Sequence, residues 1–217
     1  MVGPHRAENV ILAGEPLDSA KAALILVHGR GATAESMQPL AEAFRLSSVA
    51  YAAPQAAGSS WYPYSFMAPL EANEPHLSSA LSVLAALVAR LGDEGIPAER
   101  VALVGFSQGA CLSTEFAARN ARRYGAIIGL SGGLIGPPGT ARDYAGSLAA
   151  TPIFLGCSDI DPHIPIERVR ESTDVMSRLG AEVDMRIYPG FGHSVNEDEV
   201  EAARGMLKTL AEEADEG

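Results

Sequence analysis

"VALVGFSQGACLSTEFAAR", residues 101 to 119, decides how the rest of the chain is read. "VALVGF" is a continuous apolar run of strand length, and "ACLSTEFAAR" has a helical pattern. Between them "GFSQG" (105 to 109) has the Gly-x-Ser-x-Gly form of a nucleophile elbow. Such an elbow needs a strand, a sharp turn and then a helix. Its flanking glycines are needed because the serine sits in a strained backbone conformation, where bulky neighbours would clash. Ser107 has that context. A second match, "GLSGG" (129 to 133), centres on Ser131 and also ends a strand. It runs into "GLIGPPG", where Pro137 and Pro138 argue against an immediate helix, so Ser107 is the better candidate.

Outward from this segment, short apolar runs alternate with longer helical patterns. "AALILVHG" (22 to 29), "SSVAYAAP" (47 to 54), "VALVGF" (101 to 106), "GAIIGLSG" (125 to 132), "TPIFLGC" (151 to 157) and "EVDMRIYP" (182 to 189) read as strands, and "NVILAG" as a further edge strand. Most are continuously apolar, as parallel strands covered on both faces should be. Helices are expected at about 35 to 45, 75 to 92, 108 to 120, 165 to 179 and 196 to 213. The second carries Leu77, Leu81, Leu84, Leu87, Val88 and Leu91 down one face. The last opens with Asn196 as a cap and acidic residues in its first turn, where the helix dipole favours them. The alternation predicts a mostly parallel α/β sheet with helices on both faces, in one domain over residues 1 to 217.

Composition narrows the function. A net charge of −11 argues against nucleic acid as a partner, since phosphate backbones demand clustered Lys and Arg. The tail "EEADEG" reads as a solvated terminus. No run approaches the ~18 apolar residues of a membrane span, and no secretory pattern is visible, so a cytoplasmic protein is expected. Cys111 and Cys157 are too few for a disulfide framework and lack metal-type spacing; both read as buried thiols. Neither His76 nor His163 has a partner at metal-ligand spacing, so no metal is assigned.

A serine becomes a strong nucleophile with a histidine base oriented by a carboxylate. In chain order Ser, Asp, His, each after a successive strand, the base is His193 in "YPGFGHSV". After the strand "TPIFLGC", the segment "GCSDIDPHIP" offers two acids, Asp159 and Asp161. An oxyanion hole usually takes one N–H from the residue after the nucleophile and one from an early strand-to-helix loop. These are Gln108 and, in "HGRGATAES", Arg30. The Arg30 side chain is left open between projecting into the site, where it would favour an anionic substrate, and pointing to solvent. Trp61, Tyr62, Phe66 and Met67, from "WYPYSFMAP", are candidates to line an acyl or aryl pocket, with ordinary core as the alternative. His28 reads as structural.

"LILVHGRGAT", "GIPAERVALVGFSQGA", "DPHIP" and "YPGFGHSV", in this order, resemble the phospholipase/carboxylesterase branch of the α/β-hydrolases over roughly residues 22 to 212. The resemblance implies an α/β-hydrolase fold without a separate lid domain and hydrolysis of small-molecule carboxylic esters or thioesters without a cofactor. It implies Ser107 as nucleophile, His193 as base, Arg30 and Gln108 as oxyanion donors, and Asp161 as acid by the pattern Asp-Pro-x-Val/Ile-Pro. A homodimer is implied as well, because related esterases often form one. Three features depart from the thioesterases of that branch. The early loop reads "GRGAT" rather than Gly-x-Gly-Asp-Thr, the loop "WYPYSFMAP" differs from their short Trp-Phe-Asp form, and the gap from Gly156 to Asp161 is longer, which keeps Asp159 in play. The expectation is therefore a serine carboxylesterase for short-to-medium acyl or aryl esters. A thioesterase or lysophospholipase with the same residues is the alternative, as is a silent binding module, whose signature would be a broken triad.

Overall fold

The computed structural model describes residues 3 to 213, so the last residues of the acidic tail lie outside the described part. Seven strands form one sheet: β1 (Val10–Gly14), β2 (Ala22–Val27), β3 (Val49–Pro54), β4 (Val101–Phe106), β5 (Ala126–Leu130), β6 (Pro152–Ser158) and β7 (Glu182–Tyr188). Their order is β1-β3-β2-β4-β5-β6-β7. β1 pairs antiparallel with β3, and every other pairing is parallel. Among the described residues, four α-helices lie between strands, α1 (Gln38–Phe44), α2 (His76–Asp93), α3 (Gln108–Arg119) and α4 (Ile166–Arg178), and α5 (Glu197–Glu213) follows the last strand.

The apolar runs are continuous because both faces of the sheet are covered. Along β2, Ala23, Ile25 and Val27 face one core layer, while Ala22, Leu24 and Leu26 face the other. The first layer is closed by Leu77, Leu84, Leu87 and Leu91 of α2, by Leu112 and Phe116 of α3, and by Val169 and Met176 of α4. The second is closed by Ala41 and Phe44 of α1 and by Ala203, Leu207 and Leu210 of α5. Each fully buried Leu in these layers contributes about 2 kcal/mol of transfer free energy. In the α2 stripe Leu81 alone stays partly buried, at the margin of the layer. Both cysteines are free and buried, as their sequence context suggests.

The start of α5 matters to the site, because His193 lies just ahead of it. Asn196 Oδ1 accepts the Glu199 N–H (2.9 Å), and Glu199 Oε2 accepts the Asn196 N–H (2.9 Å). This is a reciprocal cap that satisfies two first-turn donors. Glu199 is 1% exposed, and its Oε1 is buried without a hydrogen-bond partner. That oxygen seats against Gly156 of β6, 2.3 Å from where a Cβ would begin, so a glycine is needed there. Burial pushes the Glu199 carboxyl up to about 7, the Asp198 charge adds to the rise, and the bond from the Asn196 N–H opposes it.

A folded-state pKa raised above the unfolded value means stability is greatest below the unfolded value and falls as pH rises through the folded one. For Glu199 the window runs from about pH 4.5 to about pH 7. Glu199→Gln keeps the reciprocal cap and removes the titration. Urea-unfolding midpoints should show wild type losing stability relative to this variant across that window. A difference that stays constant with pH would show that the carboxyl does not titrate there.

Candidate active site

The C-terminal ends of the parallel strands carry the chemistry-bearing side chains, as is usual for open α/β sheets. β4 ends at Phe106 and α3 begins at Gln108, leaving one residue for the turn. That residue, Ser107, has φ 55° and ψ −119°, a strained conformation for a residue with a side chain. The turn closes only because its flanks are bare. A Cβ on Gly105 would meet the Gly109 carbonyl at 2.4 Å, and one on Gly109 would meet the Val27 carbonyl oxygen at 2.0 Å. The Ser107 N–H donates to the Leu130 carbonyl (2.9 Å), which ties the elbow to β5.

His193 reaches Ser107 from the loop after β7. Its Nε2 lies 2.8 Å from Ser107 Oγ, and its Nδ1 lies 2.7 Å from Asp161 Oδ2. An ionised carboxylate only accepts, so Nδ1 carries the proton and Nε2 is free to accept from the serine hydroxyl. The Asp161 side chain is fully buried, and its Oδ1 accepts the N–H groups of His163 (2.8 Å) and Ile164 (3.0 Å). Burial pushes this carboxyl up. The bond to His193 and the two backbone donors outweigh that and hold it below the ordinary carboxylate value. The His193 ring is flanked by Phe106 (centroids 5.1 Å apart) and, edge-on, by His163 (4.8 Å).

The structure separates the two candidate acids. Asp161 meets the imidazole, whereas Asp159 Oδ1 accepts the Gly190 N–H (2.8 Å) and so fastens the start of the histidine loop. Ser131 also has a positive φ (53°), but it is fully buried, and the helical segment expected of an elbow does not follow it. One contributor is absent from the sequence reading: Ser158, at the end of β6, whose Oγ accepts the N–H groups of Phe191 (3.2 Å) and Gly192 (3.0 Å). Its signal in the sequence is a lone hydroxyl residue directly after the apolar run "TPIFLGC".

In front of Ser107 lies a cleft of about 620 Å³, walled by Tyr62, Phe66, Phe106 and Ile164. Tyr62 and Phe66 belong to the first core layer, and both also line the cleft. Trp61 does not: it is 0% exposed and belongs to the core. Its indole N–H donates to the His28 carbonyl (2.9 Å), and its ring packs between His5 and His28. A buried carbonyl within reach of the one polar handle of Trp explains the difference. Met67 packs against the same core.

The two candidate oxyanion residues share a second task. Gln108 opens α3, where first-turn N–H groups have no partner within the helix. Its side chain clasps the loop after β3: the Trp61 N–H donates to Oε1 (2.9 Å), and Nε2 donates to the Tyr62 carbonyl (2.8 Å). Arg30 holds the same loop further on. Its Nη1 donates to Ser60 Oγ (3.0 Å) and the Pro63 carbonyl (2.9 Å), and its Nη2 donates to the Tyr64 carbonyl (2.6 Å).

A strand-serine-helix elbow with a histidine and a buried aspartate on successive later loops of a mostly parallel sheet defines an α/β-hydrolase. The chain belongs to the phospholipase/carboxylesterase family, whose model matches residues 10–211. A solved phospholipase/carboxylesterase from Dyadobacter fermentans is 42% identical, with a TM-score of 0.91 over 94% of this chain and 98% of that one. Acyl-protein thioesterase 1 of Gibberella zeae is 31% identical over 122 residues, 54% of this chain and 50% of the relative. Its counterpart in Yarrowia lipolytica is 27% identical over 198 residues, 82% of this chain and 87% of the relative. In the Gibberella and Saccharomyces cerevisiae relatives the match spans about half of their length, 50% and 52%.

Because the Val27 carbonyl occupies the space a side chain at 109 would need, Gly109→Ala forces β2 and α3 apart. It should lower unfolding free energy by more than about 3 kcal/mol, read from urea titration. A variant as stable as wild type would mean that the contact relaxes freely.

Proposed function

We propose that this protein is a serine carboxylesterase that hydrolyses short-to-medium acyl or aryl esters, with Ser107, His193 and Asp161 as its triad. The observation that carries the reading is the continuous hydrogen-bonded chain from Ser107 Oγ through both imidazole nitrogens to a buried carboxylate. In this reading Ser107 attacks the acyl carbonyl as His193 takes its proton, and Asp161 steadies the imidazolium. The N–H groups of Arg30 and Gln108 hold the developing oxyanion. His193 returns the proton to the leaving alcohol, and water then repeats the sequence to free Ser107 and release the acid. The mainly apolar cleft has the size typical of small-molecule sites, which supports an acyl or aryl group between Tyr62 and Phe66. The names of the fungal relatives favour a second reading, a thioesterase working through the same atoms.

Release of 4-nitrophenol from acetate, butyrate, octanoate and palmitate esters tests the proposal, with a matched thioester as a further arm. Ser107→Ala should lose roughly 10³-fold or more in kcat, and Ser131→Ala should keep its rate. Asp161→Asn should lose far more than Asp159→Asn, since only the former leaves the imidazole in the wrong tautomer. Full activity in Ser107→Ala would overturn the assignment. Wild type active only on the thioester would move it to the second reading.

A further inference from the structure

The chain as a whole is acidic, with 27 Asp and Glu against 16 Lys and Arg. The cleft departs from that balance. Arg30, His163 and His193 line it, and among the described residues no Asp or Glu side chain does. Asp161, behind His193, is fully buried and committed to the imidazole and to two backbone donors.

Arg30 keeps its charge at any working pH, and its three described hydrogen-bond acceptors are all neutral: the Ser60 hydroxyl and the Pro63 and Tyr64 carbonyls. It forms no ion pair among the described residues. A guanidinium has five N–H donors, so two remain for a ligand. Arg30 lines the cleft, is exposed, and holds its guanidinium 5.8 Å from the Tyr62 ring centroid, so it is open to a ligand there. His163, exposed and edge-on to His193, adds an imidazole on the same cleft.

Building on the esterase reading, we infer that the preferred substrates are esters bearing a carboxylate, with Arg30 supplying the counter-charge. The inference sets a class of substrate, half-esters of dicarboxylic acids or esters of acidic alcohols and phenols, apart from the neutral acyl esters that the same triad would cleave.

Two matched pairs test it and separate the side on which the charge is recognised. Mono-(4-nitrophenyl) adipate against 4-nitrophenyl hexanoate puts the carboxylate on the acyl side. 4-Acetoxybenzoate against its methyl ester puts it on the leaving group. Wild type should favour the anion in at least one pair by roughly five- to tenfold in kcat/KM at low salt, and the ratio should shrink at about 0.5 M NaCl. Arg30→Met should bring the ratio near one, whereas Arg30→Lys, which keeps the charge and loses the fork, should retain most of it. His163→Val should lower it part of the way. Each ratio is taken within one variant, so a general loss of activity from loosening the loop cancels. A wild-type ratio at or below one in both pairs overturns the inference and leaves the esterase reading intact, as does a ratio unmoved in Arg30→Met. Wild type inert on all four esters overturns both.

Discussion

The site depends on one close approach, the Val27 carbonyl oxygen lying where a side chain at residue 109 would start. It sets α3 directly against the end of β2. The loop bearing Arg30 and the first turn of α3 therefore lie beside the same cleft as Ser107. Any side chain at 109 would move β2 and α3 apart. The strained Ser107 backbone follows from the same constraint, because one residue must turn the chain from β4 into α3. Strain of that size persists only where the surroundings over-determine it. Here the bond from Ser107 to β5 and the bare flanks at Gly105 and Gly109 do so.

Much of this was legible in the sequence, for reasons that differ from element to element. Strands buried on both faces announce themselves as unbroken apolar runs, and α2 as a stripe of leucines, because burial acts on every residue of the element. The elbow was legible because glycine is the residue that tolerates such backbone contacts. The antiparallel edge strand β1 was also found, although four of its five residues are exposed. Features that depend on where a single side chain turns were less legible. Asp159 and Asp161 are both strand-end acids two residues apart, so spacing alone does not separate them, and the choice of Asp161 rests on the resemblance of "DPHIP" to the family pattern. Trp61 carries the same apolar signature whether it lines a cleft or fills a core; the choice rested on the position of the His28 carbonyl, a tertiary fact.

The histidine loop shows how neutral and charged groups divide the work of placement. Ser158 and Asp159 hold its start through backbone N–H groups, and the Asn196–Glu199 cap holds its end. Between these anchors His193 meets Asp161 and Ser107 with little freedom to turn. Fixing a loop from both ends lowers the entropy cost of holding its side chain in one orientation.

The side chains of Arg30 and Gln108 grip the loop whose Tyr62 forms one wall of the cleft, and both residues line that cleft beside Ser107. Wall and elbow are thus parts of one rigid frame, and the path of that loop is not an independent variable. A change in the shape of the cleft, whether by natural drift or by directed evolution, then has its least disruptive route through the side chains at Tyr62, Phe66 and Ile164. Insertions or deletions between Ser60 and Tyr64 would instead disturb the frame, so a library that randomises the three wall positions reshapes the cleft with the elbow left in place.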